Sequence, residues 1–241
     1  MIEFLNSVDT QLYLFFNGMF HTPVLDSFMQ LFTGRFIWIP LYIAIALMLL
    51  KSFGPRLALI YIVAIGLAVT LSDQICATVI RPMVCRLRPS NPDNPISELA
   101  VLVNGYRGGS YGFPSCHAAN SFALAVFVSF LIRRRKTIFF IMGWAILNSY
   151  SRLYLGVHYP GDLLVGAAIG SLFGYICCFC ACRIMAESRR KSMKRMGTPI
   201  FSIPIRLQVY GIQPQSIGVS AGDVTIGIGL ITVFLITAFS I

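Results

Sequence analysis

Charged side chains are scarce in this sequence, which has only nine acidic residues and three histidines among 241 residues. They make up 12% of the chain, while 56% of it is hydrophobic, and this balance excludes an ordinary soluble domain. The sequence contains no internal repeat and no polar stretch long enough to form a separate soluble domain. The first residues also lack the basic start and small-residue cleavage site of a secretory signal peptide.

The sequence contains six long apolar runs. A helix needs about 20 mostly apolar residues to cross the bilayer core, and one run reaches that length without its flanks. The six runs are Phe36–Leu50, Leu57–Ser72, Ala118–Ile132, Ile138–Tyr150, Leu163–Cys182 and Val224–Ile241. We therefore predict an all-α, polytopic membrane bundle with about six spans, of which five form a core and the sixth is a C-terminal apolar helix.

The composition changes along the chain, and from these changes we predict four regions. Residues 1–35 form an N-terminal interfacial helix, because Asn17 and Gly18 interrupt its apolar pattern. Residues 36–182 form a membrane core that carries all the chemistry. Residues 183–223 form a basic, then Pro/Gly/Ser-rich cytoplasmic connector, and residues 224–241 form the last apolar helix.

Basic residues outnumber acidic ones and give a formal net charge of +10. Most of them lie between the runs, in the clusters Lys51–Arg56, Arg133–Lys136 and Arg183–Arg195, which share one side of the membrane if every run spans it. The positive-inside rule makes that side cytoplasmic. Cations confined to short loops between helices do not favour nucleic-acid binding.

Seven cysteines are present, and four of them lie within the run Leu163–Cys182. No histidine or carboxylate accompanies those four, so we interpret them as buried small side chains and predict no metal site. Cys85 and Cys116 fall on the same, outer side of the membrane, and the sequence leaves open whether they pair.

The first of three polar clusters contains Arg81 and the pair Arg88-Pro89. Two guanidinium groups seven residues apart lie about two turns apart on one face of a helix, if the helix continues between them. They can then hold different oxygens of one phosphate group. The alternative is that both arginines flank a span and reach for lipid headgroups.

The second cluster is Ser115-Cys116-His117, which follows Pro114 at the start of the third run. Ser115 is in the position of a helix N-cap, so the first turn would offer free N–H groups to an anion. His117 in the same turn could protonate a leaving oxygen. The alternative is a plain helix cap beside an incidental histidine.

The third cluster contains Arg152 at the end of the fourth run, His158 in the following loop and Asp162. Pro160 favours a helix that starts there, which places Asp162 in its first turn. A carboxylate at this spacing can accept one ring N–H of His158 and leave the other nitrogen free to attack. The alternative is a structural His–Asp pair at a helix start.

All three clusters fall on the same predicted membrane face, and together they resemble the type-2 phosphatidic acid phosphatase family, which is related to vanadium haloperoxidases. The family pattern has Lys or Arg six residues before Arg-Pro, then Pro-Ser-Gly-His, then Ser-Arg, five residues, His, three residues and Asp. The resemblance covers roughly residues 36–182. The sequence departs from the pattern at Arg81, where lysine is commoner, and at Cys116, where the family has glycine.

The resemblance implies a role for each matching residue. His158 would attack phosphorus to form a phosphohistidine, Asp162 would orient His158, and His117 would protonate the departing lipid oxygen. The phosphoryl oxygens would be held by Arg81, Arg88, Arg152, Ser115 and the backbone N–H of Cys116. The resemblance implies no metal and no other cofactor. We expect a structural role for Asp73, which lies beside the second run.

The resemblance also implies a hydrolase embedded in a bacterial inner membrane, with a lipid phosphate as its partner. The cytoplasmic placement of the cation clusters predicts that its active site faces the periplasm or cell exterior. Candidate substrates are undecaprenyl diphosphate, phosphatidylglycerol phosphate, phosphatidic acid and a lipid A phosphate. One alternative is a lipid phosphotransferase that uses the same intermediate. Another is a non-catalytic bundle or transporter that binds headgroups, while a vanadate-dependent peroxidase is disfavoured by the apolar composition. The oligomeric state stays open.

Overall fold

The computed structural model describes residues 1–19, 21–34, 36–195 and 221–240. These residues form helices and loops, with one isolated bridge between Leu87 and Tyr111 and no other strand pairing. The helices are α1 (Ile2–Gly18), α2 (Pro23–Phe32), α3 (Ile39–Phe53), α4 (Pro55–Gln74), a π-helix (Ile75–Ile80), α5 (Arg81–Val84), a 3-10 turn (Val103–Gly105), α6 (Cys116–Ile132), α7 (Arg135–Tyr154), α8 (Pro160–Arg195) and α9 (Ala221–Phe239). The predicted all-α class is confirmed for this part of the chain.

Three helical stretches in the described residues are long and apolar enough to cross a membrane, namely Pro55–Val84, Pro160–Glu187 and Gly222–Phe239. Helices α3 and α6 are apolar but shorter. Helix α7 has 20 residues, more than the run predicted for it, and it carries three cations. Large apolar side chains are exposed on many of these helices, as expected where a protein faces lipid. The protein is therefore a multi-pass membrane bundle.

The N-terminal segment contains two helices, whereas the sequence analysis predicted one. Helix α1 ends at Gly18, and Asn17 turns away from the helix to bond the backbone of Val101 and Tyr154. Helix α2 then starts with Pro23, capped by the Thr22 side chain, which accepts from a backbone N–H in the first turn. The interruption at Asn17 and Gly18 is therefore the end of one helix, and the Thr22 cap and Pro23 start a second.

The C-terminal boundary of the predicted core also differs. Helix α8 continues past residue 182 as far as Arg195, so the start of the predicted connector is helical. Residues 196–220 of that connector lie outside the described residues.

Helices α6 and α8 pack so closely that backbone meets backbone. Gly166, Gly170 and Gly174 lie one turn apart on α8, and a Cβ added to each would overlap a backbone carbonyl of α6. The carbonyls belong to Ser115 and two alanines one and two turns further along α6. Small residues permit this approach, which is a common way for helices to associate in membranes. We call this contact the glycine seam, and it fixes the start of α6 against the start of α8.

Candidate active site

His158 and Asp162 form the buried centre of the polar region at one end of the bundle. The Nδ1 atom of His158 lies 3.2 Å from Asp162 Oδ2, which also accepts from the backbone N–H of Tyr159 at 3.1 Å. The Nε2 atom of His158 lies 2.8 Å from Arg88 Nη1. Because a guanidinium group can only donate, Nε2 must carry the lone pair and Nδ1 the proton. This is the tautomer that a nucleophilic histidine requires.

The surroundings of His158 also hold it neutral. Burial, followed by the positive charges of Arg88, Arg152 and Arg81, keeps the pKa of His158 well below its usual value. An imidazole that is uncharged at neutral pH keeps the Nε2 lone pair that a nucleophile needs, and in this structure Arg88 donates to that lone pair.

Arg88 is itself buried and fixed by two backbone carbonyls. Its Nε donates to Tyr111 O and its Nη1 to Val157 O, both at 3.1 Å. Burial, then the charges of Arg152 and Arg81, lower the pKa of Arg88 to about 10, so it stays charged at neutral pH. Three like charges close enough to influence one another favour an anion between them.

The other two arginines are each bonded through their terminal nitrogens and not through Nε. Arg152 donates to Thr33 Oγ1 and to Tyr106 Oη, each at 3.2 Å, and Arg81 donates to Pro114 O at 3.0 Å. The Nε–H of Arg81 and that of Arg152 are buried and have no partner among the described residues. A buried N–H without an acceptor is costly, and the oxygens of a phosphate group would supply one. We call Arg81, Arg88 and Arg152 the arginine clamp.

The structure also explains how the clamp arginines converge. The sequence analysis expected Arg81 and Arg88 to share one helical face if the helix continues between them. The helix ends at Val84 and Cys85 adopts a left-handed conformation, so that condition is not met. Beyond it the chain folds back, and Arg88 N–H donates to Ser110 O at 3.1 Å. This returning loop, and not helical periodicity, carries Arg88 to His158.

Ser115 is the N-cap of α6, as predicted. Its Oγ accepts from Ala118 N at 3.4 Å, and its backbone N–H donates to Asp162 O at 3.0 Å, which ties the starts of α6 and α8 together. Cys116 begins the helix without a positive φ, so a side chain is tolerated at the family's glycine position. Its Sγ accepts from Arg81 Nη2 at 3.0 Å. Cys116 and Cys85 are both free thiols, which settles that they do not pair in this structure.

His117 lies on the next position of α6, in the wall of a cavity that also includes Cys116, Asp73 and Asn120. Asp73 Oδ1 accepts from Asn120 Nδ2 at 2.9 Å, which supports the structural role expected for this carboxylate. The cavity lining includes His117 and also Cys116, which accepts from Arg81 of the clamp.

Sequence reasoning missed Arg86 and Asp9. Arg86 Nη1 lies 3.0 Å from Asp162 Oδ1 and 2.7 Å from Asp9 Oδ2, and its guanidinium carbon lies 3.8 Å from the centre of the Tyr159 ring. Asp9 Oδ1 also accepts from the backbone N–H of Gly161 at 2.7 Å. Asp9 on helix α1 thus contacts Arg86, and Arg86 contacts Asp162, the carboxylate that faces His158.

A signal for both residues was present in the sequence. Arg86 lies two positions before Arg88 in the first polar cluster, and Asp9 is an isolated carboxylate in an apolar helix. A lone charge in such a segment usually has a partner within the bundle.

The structure thus gathers the predicted site residues at one end of the bundle. Direct or one-step contacts join Arg81, Arg88, Ser115, Cys116, His158 and Asp162, while Arg152 and His117 flank them. No group of three or more histidine, cysteine or acidic residues in the described part of the chain is arranged to hold a metal ion.

Comparison with known proteins gives concordant results. The family model described as PAP2 superfamily matches residues 57–185. A protein of Bacteroides thetaiotaomicron named lipid A 4'-phosphatase is 56% identical over 187 residues, which cover 78% of this chain and 83% of that protein. A protein of the same name from Porphyromonas gingivalis is 34% identical and covers 72% of this chain and 73% of its own length. The crystal structure of Aquifex aeolicus LpxE superposes with a TM-score of 0.51 at 26% identity, over 70% of this chain and 93% of that one.

Proposed function

We propose that this chain, which belongs to the PAP2 superfamily and is a membrane lipid phosphatase, hydrolyses a phosphate monoester of lipid A through a phosphohistidine on His158. The observation that carries the mechanism is the orientation of His158, whose Nδ1 faces Asp162 while its Nε2 faces Arg88. A non-catalytic bundle that binds headgroups would need neither this tautomer nor this carboxylate. The lipid A substrate is supported by the two bacterial relatives that carry that name.

The proposed reaction has two steps. In the first, His158 Nε2 attacks phosphorus, an N–P bond forms, and the P–O bond to the lipid breaks while His117 gives its proton to the departing oxygen. In the second, water attacks the phosphohistidine and returns a proton to His117, and the N–P bond breaks to release phosphate. Asp162 stabilises the positive charge that develops on the imidazole in the first step.

The arginine clamp would hold the phosphoryl oxygens throughout. Charge moves onto the equatorial oxygens as the P–O bond breaks, and donors already in place stabilise it without reorganisation. The N-terminal N–H groups of α6, including that of Cys116, add the positive end of a helix dipole to the same pocket.

A panel of lipid phosphates tests the proposed function. Purified protein in detergent with EDTA should release phosphate from a bisphosphorylated lipid A and leave a monophosphorylated product, identified by mass spectrometry. The comparison substrates are undecaprenyl diphosphate, phosphatidylglycerol phosphate and phosphatidic acid. Phosphate release from one of these three alone, with none from lipid A, would contradict the substrate assignment.

The orientation of the site follows from the placement of the cations. The cluster Lys51–Arg56 joins α3 to α4, and Arg133–Lys136 joins α6 to α7, both at the end of the bundle opposite His158. We infer that this end is cytoplasmic and that the active site faces the periplasm from the inner membrane. In a protein from which the seven native cysteines have been removed, a membrane-impermeant thiol reagent should label a single Asn104→Cys in intact cells and a single Arg134→Cys only after permeabilisation. The reverse pattern would overturn this orientation.

A further inference from the structure

A cavity of about 700 Å³ lies between α3, α4, α6 and α7 and adjoins the arginine clamp. Its wall includes Thr33, which is bonded to Arg152, and Cys116, which is bonded to Arg81. Its volume is that of a site for a bulky ligand. A phosphate group held by the clamp would therefore have the rest of its molecule at the mouth of this cavity.

The cavity is polar near the clamp and apolar further away. Along α6 its lining passes from His117 through Asn120 and Ser121 to Leu124, which is about 10 Å of helix. Along α7 two further polar side chains, Asn148 and Trp144, line it at one and two turns below Arg152. The remaining depth is lined by aliphatic side chains of α3 and α4, among them Ile45, Leu49, Ile62 and Ile65.

Three polar atoms in this lining have no hydrogen-bond partner among the described residues: Asn120 Oδ1, Asn148 Oδ1 and Trp144 Nε1. The amide orientation of Asn120 is set by Asp73, whose carboxylate can only accept from Asn120 Nδ2. Asn148 Nδ2 donates to Ser121 Oγ at 2.7 Å. Three side chains of the cavity lining therefore carry a buried polar atom whose hydrogen-bonding capacity is not used within the described residues. Asn148 and Trp144 are both more than nine-tenths buried, where an unpaired polar atom costs about 1–3 kcal/mol.

We propose that this cavity binds the part of the lipid next to the phosphate, and that Asn120, Trp144 and Asn148 select a lipid with amide and hydroxyl groups there. An acylated amino sugar has such groups within about 10 Å of its phosphate, and its acyl chains suit the apolar depth. A polyprenyl phosphate has none and would leave all three atoms unpaired. A site built to bond a polar group discriminates strongly against a ligand that lacks it. This inference rests on the proposed function and specifies its substrate class.

The test of selectivity compares two substrates in one detergent: a monophosphorylated, acylated glucosamine disaccharide and undecaprenyl phosphate. In Asn148→Leu the ratio of kcat/KM for the sugar lipid to that for the polyprenyl lipid should fall about 30-fold. Asn120→Leu, at a position that is only half-buried, should lower the same ratio and replaces the first variant if that one does not fold. A ratio equal to that of the wild type in a folded variant would overturn the proposal.

A second variant tests whether the cavity is occupied at all. Gly66 lies in its wall and an added Cβ meets nothing within 4 Å, so Gly66→Leu places a larger side chain at the cavity wall with room at its Cβ. It should lower kcat/KM for the sugar lipid at least about tenfold. Gly143 on α7 is equally open but lies outside the cavity lining, so Gly143→Leu is the matched control and should behave as the wild type. Equal activity in both variants would contradict a lipid in the cavity.

These outcomes separate the two proposals. Wild-type protein that releases no phosphate from any lipid phosphate would refute the proposed function itself. Wild-type protein that is active on lipids, with selectivity unaffected at Asn148 and Asn120, would refute only the role of the cavity.

Discussion

His158→Ala should abolish phosphate release, with kcat at least about 10³-fold below that of the wild type on every substrate. The reason is that Nε2 of His158 is the atom that would form the bond to phosphorus, and the described site offers no second group with an orienting carboxylate. The variant should remain folded, because Asp162 keeps its contacts with Arg86 and the Tyr159 N–H, and Arg88 keeps its two backbone carbonyls. Normal turnover in a folded His158→Ala protein would rule out the phosphohistidine.

His117→Ala provides the contrast. A general acid matters most when the leaving group is a poor one, so this variant should lose about 100-fold on a lipid phosphate and much less on an activated aryl phosphate. His158→Ala should lose both activities equally. A chemical trap gives an independent readout, since rapid denaturation during turnover should retain acid-labile phosphate on the wild type and on His117→Ala, and none on His158→Ala.

Arg88→Lys should lower kcat/KM about 100-fold although it conserves the charge. The guanidinium group of Arg88 bonds two backbone carbonyls and His158 at once, and an ammonium group cannot reach all three positions. The loss should appear mainly in kcat if the misplaced group is His158, and mainly in KM if only substrate binding is weakened. Wild-type activity in Arg88→Lys would show that charge alone suffices at this position.

Asp9→Asn tests the support that helix α1 gives to the site. Among the described residues, Asp9 contacts the site through Arg86 and the backbone N–H of Gly161. Asparagine keeps an acceptor for Gly161 N–H and removes the charge that Arg86 faces. We expect kcat to fall about tenfold with little change in KM, since Asp9 positions the nucleophile's carboxylate and does not contact the substrate. A change in KM alone would contradict this positioning role.

Much of the catalytic chemistry could be predicted from the sequence because polar residues are so rare in it. Ser115, His158 and Asp162 stand out against apolar surroundings, and their spacings already define a cap, a loop and a first helical turn. The predicted cap and the predicted helix start at Pro160 are both confirmed. The catalytic roles of these residues stay predictions until the variants above are measured.

The features of the site that could not be predicted from the sequence depend on contacts between residues far apart in the chain. The contact of Asp9 with Arg86 spans 77 positions and follows no periodic pattern. Arg88 reaches His158 through a left-handed residue and a returning loop, neither of which a helical pattern predicts. The cavity is likewise a property of four packed helices, and its unpaired atoms are visible only once those helices are assembled.

The glycine seam fixes the position of His117 relative to His158. His117 belongs to α6 and His158 precedes α8, so the distance from proton donor to nucleophile is set by how these two helices meet. Glycine has no side-chain rotamers, and contacts between main-chain atoms cannot be relieved by a rotation about χ1. We therefore expect motions of the surrounding acyl chains to move both histidines together. The distance between the proposed proton donor and the proposed nucleophile would then depend little on the fluidity of the membrane.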